Sequence, residues 1–208
     1  PVETSRIRVL ITEFNPYRTA IREMRIFPTA ATPKHVDERI PFRTNGMAAL
    51  DIDGDGAVEV LAAVGNLVRC IKADGTVAWE VALPKDALCI AAYDLDNDGK
   101  GEVVVGGADH MLYCYDSEGK ERWSLLTPAD PYFPEIEPAT GPIRVVGCAD
   151  IDADGDGEIV IGSGNWFAYG YDHQGNKLWG TLNWAHQPTS IVFVPQPDGK
   201  QWAFIGTT

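Results

Sequence analysis

Short apolar runs recur along the chain and are separated by acidic or glycine-containing turns. Runs such as Val58–Val64, Leu88–Tyr93 and Ile143–Ala149 are rich in Val, Ile, Leu and Ala and are bounded by Asp or Gly. Runs of this kind are typical of buried strands, and helical periodicity is weak almost everywhere. The pattern therefore predicts an all-β protein.

A nine-residue acidic pattern, Asp-x-Asp-x-Asp-Gly-x-x-Glu, lies between two apolar runs at three places: 51–59, 94–102 and 150–158. Its carboxylates at positions 1, 3, 5 and 9, with a glycine at position 6, match the oxygen ligands and tight turn that a hard cation such as Ca²⁺ needs. Repetition of one spacing favours about three calcium ions over ordinary solvated Asp-Gly turns. The expected carboxylate ligands are Asp51, Asp53, Asp55 and Glu59; Asp94, Asp96, Asp98 and Glu102; and Asp150, Asp152, Asp154 and Glu158.

An EF-hand is the competing interpretation of Asp-x-Asp-x-Asp-Gly, and it fails on two counts. An EF-hand loop places a bidentate Glu at position 12 and has helices on both sides. Position 12 here is Ala62, Val105 or Ile161, each inside an apolar run.

A second repeated element follows each acidic loop, in which a tryptophan stands four residues after a glycine. The three pairs are Gly75 and Trp79, Gly119 and Trp123, and Gly175 and Trp179. A polar-polar-Gly step is a hairpin turn signal, so each unit has four strands. The acidic loops repeat at intervals of 43 and then 56 residues, and a four-stranded repeat of about 40–45 residues is typical of a β-propeller blade.

The predicted fold is thus a β-propeller of four-stranded antiparallel blades, a fragment of a larger propeller of six to eight blades. The expected divisions are an N-terminal segment 1–44, a blade 45–86, a blade 87–141, a blade 142–186, and a partial blade 187–208 without a calcium loop. A proline-rich insertion, 127–142, explains the longer interval. An alternative is that Ile7–Ile11 and Ile21–Phe27 supply the missing outer strands and close a four-bladed ring, which would remove exposed sheet edges. The remaining blades would otherwise come from further chain or from a second copy.

The acidic loops resemble those of FG-GAP/VCBS repeats, found in integrin α-subunit propellers and in many secreted bacterial proteins. The resemblance implies that position 7 of each loop donates a backbone carbonyl to the ion, at Ala57, Lys100 and Asp156. The Gly-x-x-x-Trp turns also resemble those of quinoprotein-like propellers. There the tryptophan docks between neighbouring blades, which implies that role for Trp79, Trp123 and Trp179 without implying a quinone.

Composition narrows the classes of function. The formal charge of −13 argues against nucleic acid as a partner, and no apolar stretch is long enough to cross a membrane. The four cysteines, Cys70, Cys89, Cys114 and Cys148, lie in predicted strands and are expected to be buried thiols rather than disulfides. Weak calcium loops fill best outside the cell, so an extracellular, periplasmic or cell-surface location is expected.

Candidate ligand-binding residues lie on the face opposite the calcium loops, where the loops between second and third strands gather. They are Asn66, Asp109, His110, Asn165, Trp166, Trp184 and His186, with Arg43, Asn45, Tyr132, Phe133 and Arg144 nearby. Aromatic rings beside polar groups suit a glycan, so the chain is expected to be a calcium-stabilised module that binds carbohydrate or protein. The alternative is a propeller-type polysaccharide lyase acting on uronate-containing glycans, in which His110 or His186 is the base and Arg144 neutralises the sugar carboxylate.

Overall fold

The computed structural model describes residues 44–132, 140–183 and 186–208. The chain separates into two units, Pro1–Pro41 and Phe42–Thr208, and the described residues belong to the second. The expected strands at 7–11 and 21–27 therefore lie outside the described residues, as do Arg43, Phe133 and Trp184.

The described chain consists of antiparallel strands, without a helix in those ranges, which confirms the all-β prediction. Three sheets have four strands each, hydrogen-bonded in chain order, and a fourth sheet has two. The strands are β1 (Thr44–Leu50), β2 (Glu59–Val64), β3 (Leu67–Ile71) and β4 (Val77–Ala82); β5 (Ala87–Tyr93), β6 (Glu102–Gly107), β7 (Met111–Tyr115) and β8 (Glu121–Leu126); β9 (Ile143–Ala149), β10 (Glu158–Ser163), β11 (Phe167–Tyr171) and β12 (Lys177–Leu182); and β13 (Pro188–Pro195) and β14 (Gln201–Thr207).

Burial is greatest in the second and third strands of each complete sheet and lower in the first and fourth strands. Strands β6 and β10 are buried along their whole length, whereas β8 alternates between exposed and half-buried positions. A strand that is covered on both faces needs a continuous apolar run, and one with a solvated face tolerates alternation. The apolar runs after the acidic loops are therefore the second strands, and the mixed sequences around the tryptophans are the fourth strands.

The sheets pack face to face in chain order. The first core cluster joins the first and second sheets through residues such as Leu61 and Val105, and the next cluster joins the second and third sheets through residues such as Val104 and Ile161. The fourth sheet packs on the third where Gly147 of β9 leaves room for Ile191 and Phe193. Within the described residues, the second and third sheets thus each lie between two neighbouring sheets.

Two hydrogen-bonded joints repeat between consecutive sheets. In the outer joint, Trp79 Nε1 donates to the carbonyl of Ser117 at 2.9 Å, and Trp123 Nε1 donates to the carbonyl of His173 at 3.1 Å. Both tryptophans therefore lie between neighbouring sheets, as the resemblance implies. Trp179, in the third sheet, is 37% exposed and has no such partner among the described residues.

The inner joint connects an acidic loop to the start of the second strand of the next sheet, or to the residue just before it. The N–H of Gly101 donates to the carbonyl of Ile52, that of Gly157 to Leu95, and that of Gln201 to Ile151, at 2.7–2.8 Å. The approach is close, because a Cβ on Gly101 would lie 2.4 Å from Leu50 Cδ2. This explains the glycine at position 8 of the second and third loops, whereas the first loop has the exposed Val58 there.

The cysteines are free thiols in the strands. Burial raises the pKa of Cys70 to about 11 and the pKa values of Cys89 and Cys114 to about 12. These thiols therefore behave as small apolar core residues.

The face of the fourth sheet that points away from the third carries exposed side chains. Its large apolar side chains alternate along the two paired strands, and each is more than a third exposed: Val192, Val194, Trp202 and Phe204. In the complete sheets the second strand pairs with a third strand, whereas β14 has no such neighbour in the part of the chain that the structure describes.

Candidate metal centres

Each acidic loop brings three carboxylates together at the start of a second strand. The groups are Asp51, Asp53 and Glu59; Asp94, Asp96 and Glu102; and Asp150, Asp152 and Glu158. Within each group one ligand atom per residue lies within 4.8 Å of the others. These are positions 1, 3 and 9 of the predicted loop, so the structure gathers three of its four carboxylate positions.

The loop backbone turns around the first aspartate. Both carboxylate oxygens of Asp51 accept backbone hydrogen bonds, from Gly54 and Gly56 at 2.9 Å each. Asp150 accepts the equivalent pair from Ala153 and Gly155, whereas Asp94 accepts bonds from Asp98 and Gly99. Such side-chain turns shape the loop through the protein alone, so the carboxylates are held close together despite their mutual repulsion.

The carboxylates at position 5 lie outside these three groups. Asp55, Asp98 and Asp154 each accept the N–H of the residue at position 7, at 2.7–2.9 Å. Those position-7 residues are Ala57, Lys100 and Asp156, whose carbonyls the resemblance assigned to the ion. The side chain of Asp156 also lies 3.3 Å from His173 Nδ1.

The glutamate at position 9 is buried and ties the loop to its own start. Glu59, Glu102 and Glu158 accept the N–H groups of Ile52, Leu95 and Ile151 at 3.1, 2.8 and 2.6 Å. Burial raises the pKa of Glu102 and of Glu158 above the ordinary value for a carboxyl. Burial of a charged carboxylate costs free energy unless a nearby cation compensates the charge.

The second loop has a cation of its own. The guanidinium of Arg122 on β8 donates to Asp96 at 2.8 Å and to Glu102 at 2.7 Å. These three side chains line an open recess of about 330 Å³ between the acidic loop and the β7–β8 turn, together with Asp98, Lys100, Asp116, Ser117 and Glu118. Arg122 was not predicted to be a site residue, because nothing in the acidic pattern points to a residue twenty positions later.

The donor set fits a hard divalent cation. All three groups offer carboxylate oxygens as ligands and no nitrogen or sulfur. Calcium and magnesium prefer such oxygen ligands, whereas zinc prefers nitrogen and sulfur. In the second loop, Asp96 Oδ1 is buried and has no hydrogen-bond partner. An oxygen in that condition is available for a metal ion.

The turns between second and third strands are at the opposite end of the sheets, and we call this end the turn face. Most of the predicted ligand-binding residues there make bonds that hold the turn. Asn66 Nδ2 donates to the carbonyl of Leu83, Asp109 accepts the hydroxyl of Tyr113 at 2.6 Å, and Asn165 Nδ2 donates to the carbonyl of Pro128. Asn45 donates to the carbonyl of Ala87 in the same way.

His110 and Trp166 occupy equivalent turns with positive φ, at +71° and +69°. The carbonyl of His110 accepts the N–H of Thr127, and its ring lies 2.7 Å from the hydroxyl of Thr140. Trp166 is 39% exposed and is the more available of the two for stacking.

An aromatic row extends from the segment after β8 into the third sheet. Tyr132, 63% exposed, stacks on Phe167 with ring centroids 6.3 Å apart, and Phe167 stacks on Tyr169 at 5.5 Å. Phe167 follows Trp166 directly, so the exposed end of this row lies beside the β10–β11 turn. Sequence reasoning named Tyr132, but the stacked partners come from a neighbouring strand that only the fold brings close.

The three catalytic candidates lie in different surroundings. His110 contacts Thr140, His186 hydrogen-bonds through Nδ1 to the carbonyl of Thr208, and Arg144 is exposed on β9. No hydrogen bond or ion pair joins any two of them within the described ranges.

These features define an all-β chain of repeated sheets, each with an acidic loop before its second strand. Residues 94–161 match the family model of the FG-GAP-like repeat, which confirms the predicted resemblance over that part of the chain. Two lambda-carrageenases, from Pseudoalteromonas carrageenovora and from another Pseudoalteromonas, are each 37% identical over 81 residues, which is 38% of this chain. The match spans 8% of the length of either enzyme.

Solved structures share the fold at low sequence identity. BBS1N, in a complex with ARL6DN soaked with lead, has a TM-score of 0.58 and 12% identity, with 79% of this chain and 45% of that chain covered. The Vibrio cholerae biofilm matrix protein Bap1 has a TM-score of 0.51 and 21% identity over 71% and 22% of the two chains. The computationally designed protein Ika4 has a TM-score of 0.52 and 14% identity over 78% and 90%. The described ranges contain no helix that is long and apolar enough to cross a membrane.

Proposed function

We propose that this chain is part of a calcium-stabilised β-propeller, in which each four-stranded sheet is one blade, and that its turn face binds carbohydrate. The observation that carries the proposal is the threefold acidic group in the same place in three consecutive sheets. The FG-GAP-like match over 94–161 and the shared fold of larger solved proteins support it. The similarity to lambda-carrageenases supports a connection with polysaccharides.

Calcium acts on stability in this proposal. Asp51, Asp94 and Asp150 with their partners would hold about three ions, and each ion would neutralise carboxylates that the fold crowds together. An ion that binds only the folded state adds RT ln(1 + [L]/Kd), or about 2.7 kcal/mol at a hundredfold excess over Kd. Calorimetry of the chelated chain should show uptake of about three ions and a rise in melting temperature. An unchanged melting curve and no uptake would contradict the calcium part of the proposal.

The carbohydrate part rests on exposed rings beside polar groups. Trp166 is exposed and directly follows Asn165, and the exposed Tyr132 stacks on the next residue, Phe167. Ring faces of this kind stack on sugar rings while neighbouring polar groups bond the hydroxyls. We expect retention of the chain on one or more polysaccharides in a panel that includes lambda-carrageenan. Tyr132→Ala and Trp166→Ala should each weaken that binding at least fivefold.

Trp202→Ala is the matched control, since Trp202 is 60% exposed on the fourth sheet and away from the turn face. Equal loss in all three variants would indicate nonspecific adhesion to exposed rings. If the chain is retained on no polysaccharide and captures a protein ligand instead, then its partner is a protein rather than a carbohydrate.

A polysaccharide-degrading activity is the second candidate, and the similarity to lambda-carrageenases favours it. The lyase form of this candidate uses His110 or His186 as base and Arg144 as the positive group. Incubation with uronate-containing polysaccharides should then produce ultraviolet absorbance from an unsaturated product. Either His110→Ala or His186→Ala should abolish it, and the variant that does so identifies the base. If no polysaccharide in the panel is cleaved while binding is retained, the degrading activity is contradicted and the binding function stands.

The proposal also includes an extracellular location and the closure of the propeller ring by further blades. Calcium loops of moderate affinity are filled at extracellular calcium concentrations, so we place the protein outside the cytoplasm. The exposed face with Trp202 and Phe204 would be covered by further blades, supplied by more of the chain or by a second copy. Light scattering on the 208-residue chain distinguishes the two, because a second copy doubles the mass.

A further inference from the structure

Arg122 occupies a position that the other two complete sheets fill differently. The β7–β8 pairing has a bulge between Cys114 and Tyr115, which leaves Arg122 as the extra residue on β8. The same bulge in the first and third sheets leaves Ala78 and Leu178 as the extra residues. A bulge redirects the side chain of its extra residue, and only in the second of these sheets is that side chain a cation.

The redirected guanidinium occupies ligand atoms of the second acidic loop. It bonds Asp96 Oδ2 and Glu102 Oε1, while Glu102 Oε2 accepts the N–H of Leu95. Both oxygens of Glu102 are therefore engaged. In the first and third loops, Glu59 and Glu158 have the equivalent backbone bond and make no ion pair with a described residue.

We infer that Arg122 is a tethered cation that competes with calcium at the second loop, so that this loop binds calcium more weakly than the first and third loops. The inference rests on the proposed calcium binding and adds an order of filling to it. A guanidinium stays protonated at any physiological pH and matches carboxylates in a fork. A divalent ion must displace it from Glu102 and Asp96, or share those oxygens with it at the cost of charge repulsion.

Lys100 strengthens the difference among the loops. It is the residue at position 7 of the second loop and lines the same recess, whereas the first and third loops have Ala57 and Asp156 there. The second loop thus faces two positive side chains. When no ion is bound, the positive charge of Arg122 compensates the negative charge of the buried Glu102. This loop therefore keeps its shape when calcium is scarce.

The experiment isolates the second loop and then removes the arginine. Asp53→Asn with Asp152→Asn disables the first and third loops, and calorimetric titration of the 208-residue chain with calcium then reports the second loop alone. Addition of Arg122→Ala, which installs the residue found at position 78, should raise the calcium affinity about tenfold. Arg122→Lys should give an intermediate affinity, because it keeps the charge and loses the fork.

Arg69→Ala is the matched control. It removes one cation from β3, where Arg69 pairs with Glu80 rather than with a loop carboxylate. It should leave the calcium affinity of the second loop unchanged within twofold. An equal gain from both variants would mean that net charge alone is responsible, and would overturn the inference.

Stability in chelator gives a second readout that does not depend on titration. Without calcium, Arg122→Ala should melt below the parent chain, and saturating calcium should remove the difference. Equal affinities with and without Arg122, in a chain that still takes up calcium at all three loops, overturn the inference and leave the proposed function standing. Absence of calcium uptake at every loop overturns the calcium part of the proposed function, and this inference with it.

Discussion

The indole nitrogen of Trp79 donates a hydrogen bond to the backbone carbonyl of Ser117, although 38 residues separate the two positions. The bond crosses from the fourth strand of one sheet to the outer hairpin turn of the next. Trp123 repeats it on His173. Trp79 and Trp123 therefore connect neighbouring sheets, and each also packs against a core cluster.

Loss of this indole donor should weaken the joint. Trp79→Phe keeps a large ring and removes the N–H, which leaves the Ser117 carbonyl without that partner. We expect a loss of about 1–2 kcal/mol in the free energy of unfolding, measured by urea denaturation. Trp179→Phe is the control, because Trp179 makes no equivalent bond within the described ranges and should cost less than 0.5 kcal/mol, on the order expected for a surface change. Equal losses at both positions would show that ring size matters rather than the hydrogen bond.

The glycine of the outer turn has two separable requirements. Gly119 has φ of +78°, and a Cβ there would lie 2.7 Å from the ring of Trp79. Gly75 has φ of +87° with nothing within 4 Å. Gly75→Ala should therefore cost about 1 kcal/mol from backbone strain alone, and Gly119→Ala should cost about 1–3 kcal/mol more from the contact. Melting temperatures of the two variants measure the difference, and similar values would remove the contact from the explanation.

The inner joint gives a prediction that does not involve a positive φ. Gly101 lies against Leu50 and Ile52 of the preceding sheet, and its N–H bonds the carbonyl of Ile52. Gly101→Ala should force the two sheets apart and cost about 1–3 kcal/mol. Val58→Ala changes the equivalent position of the first loop, where Val58 is 53% exposed. That control should be nearly neutral, and a comparable loss there would contradict the assignment of the joint.

The thiols should be unreactive in the folded protein. Burial raises the pKa of Cys70 to about 11 and that of Cys114 to about 12, from an ordinary value of 9.0. Because the thiolate is the reactive form, a thiol reagent at pH 8 should label these residues only after denaturant is added. The folded state holds these protons more tightly than the unfolded state, so their contribution to stability is present below about pH 9 and is lost as the pH rises towards 11. Fast labelling of Cys70 in the native protein would contradict its burial.

The sequence predicted the features that depend on local spacing. The carboxylates at positions 1, 3 and 9 of each loop come together because a glycine turn and a following strand suffice to place them. The strands follow from apolar runs bounded by acidic turns, and the tryptophan after each hairpin glycine indicated a contact between sheets. All of these are short-range patterns repeated three times.

Features that arise between sheets could not be predicted in the same way. Position 8 is glycine in two loops because the preceding sheet approaches it, and that approach is invisible in a single repeat. Arg122 contacts the second loop because a bulge redirects it. Asn66 and Asn165 were predicted as ligand-binding residues of the turn face, and the fold adds bonds from their amides to backbone carbonyls that the sequence did not indicate. One sequence signal could have indicated Arg122. The residues before the three repeated tryptophans are Ala78, Arg122 and Leu178, and of these only Arg122 is charged.

The inner joint also connects the three acidic loops in series. Glu59 accepts the N–H of Ile52, and the carbonyl of Ile52 accepts the N–H of Gly101, the residue before Glu102. Glu102 repeats the arrangement through Leu95 to Gly157, next to Glu158. The result is a series of hydrogen-bonded peptide groups that leads from each acidic loop to the loop of the next sheet along the chain. A cation lost from one loop is therefore expected to disturb the sheet that comes after it more than the sheet before it.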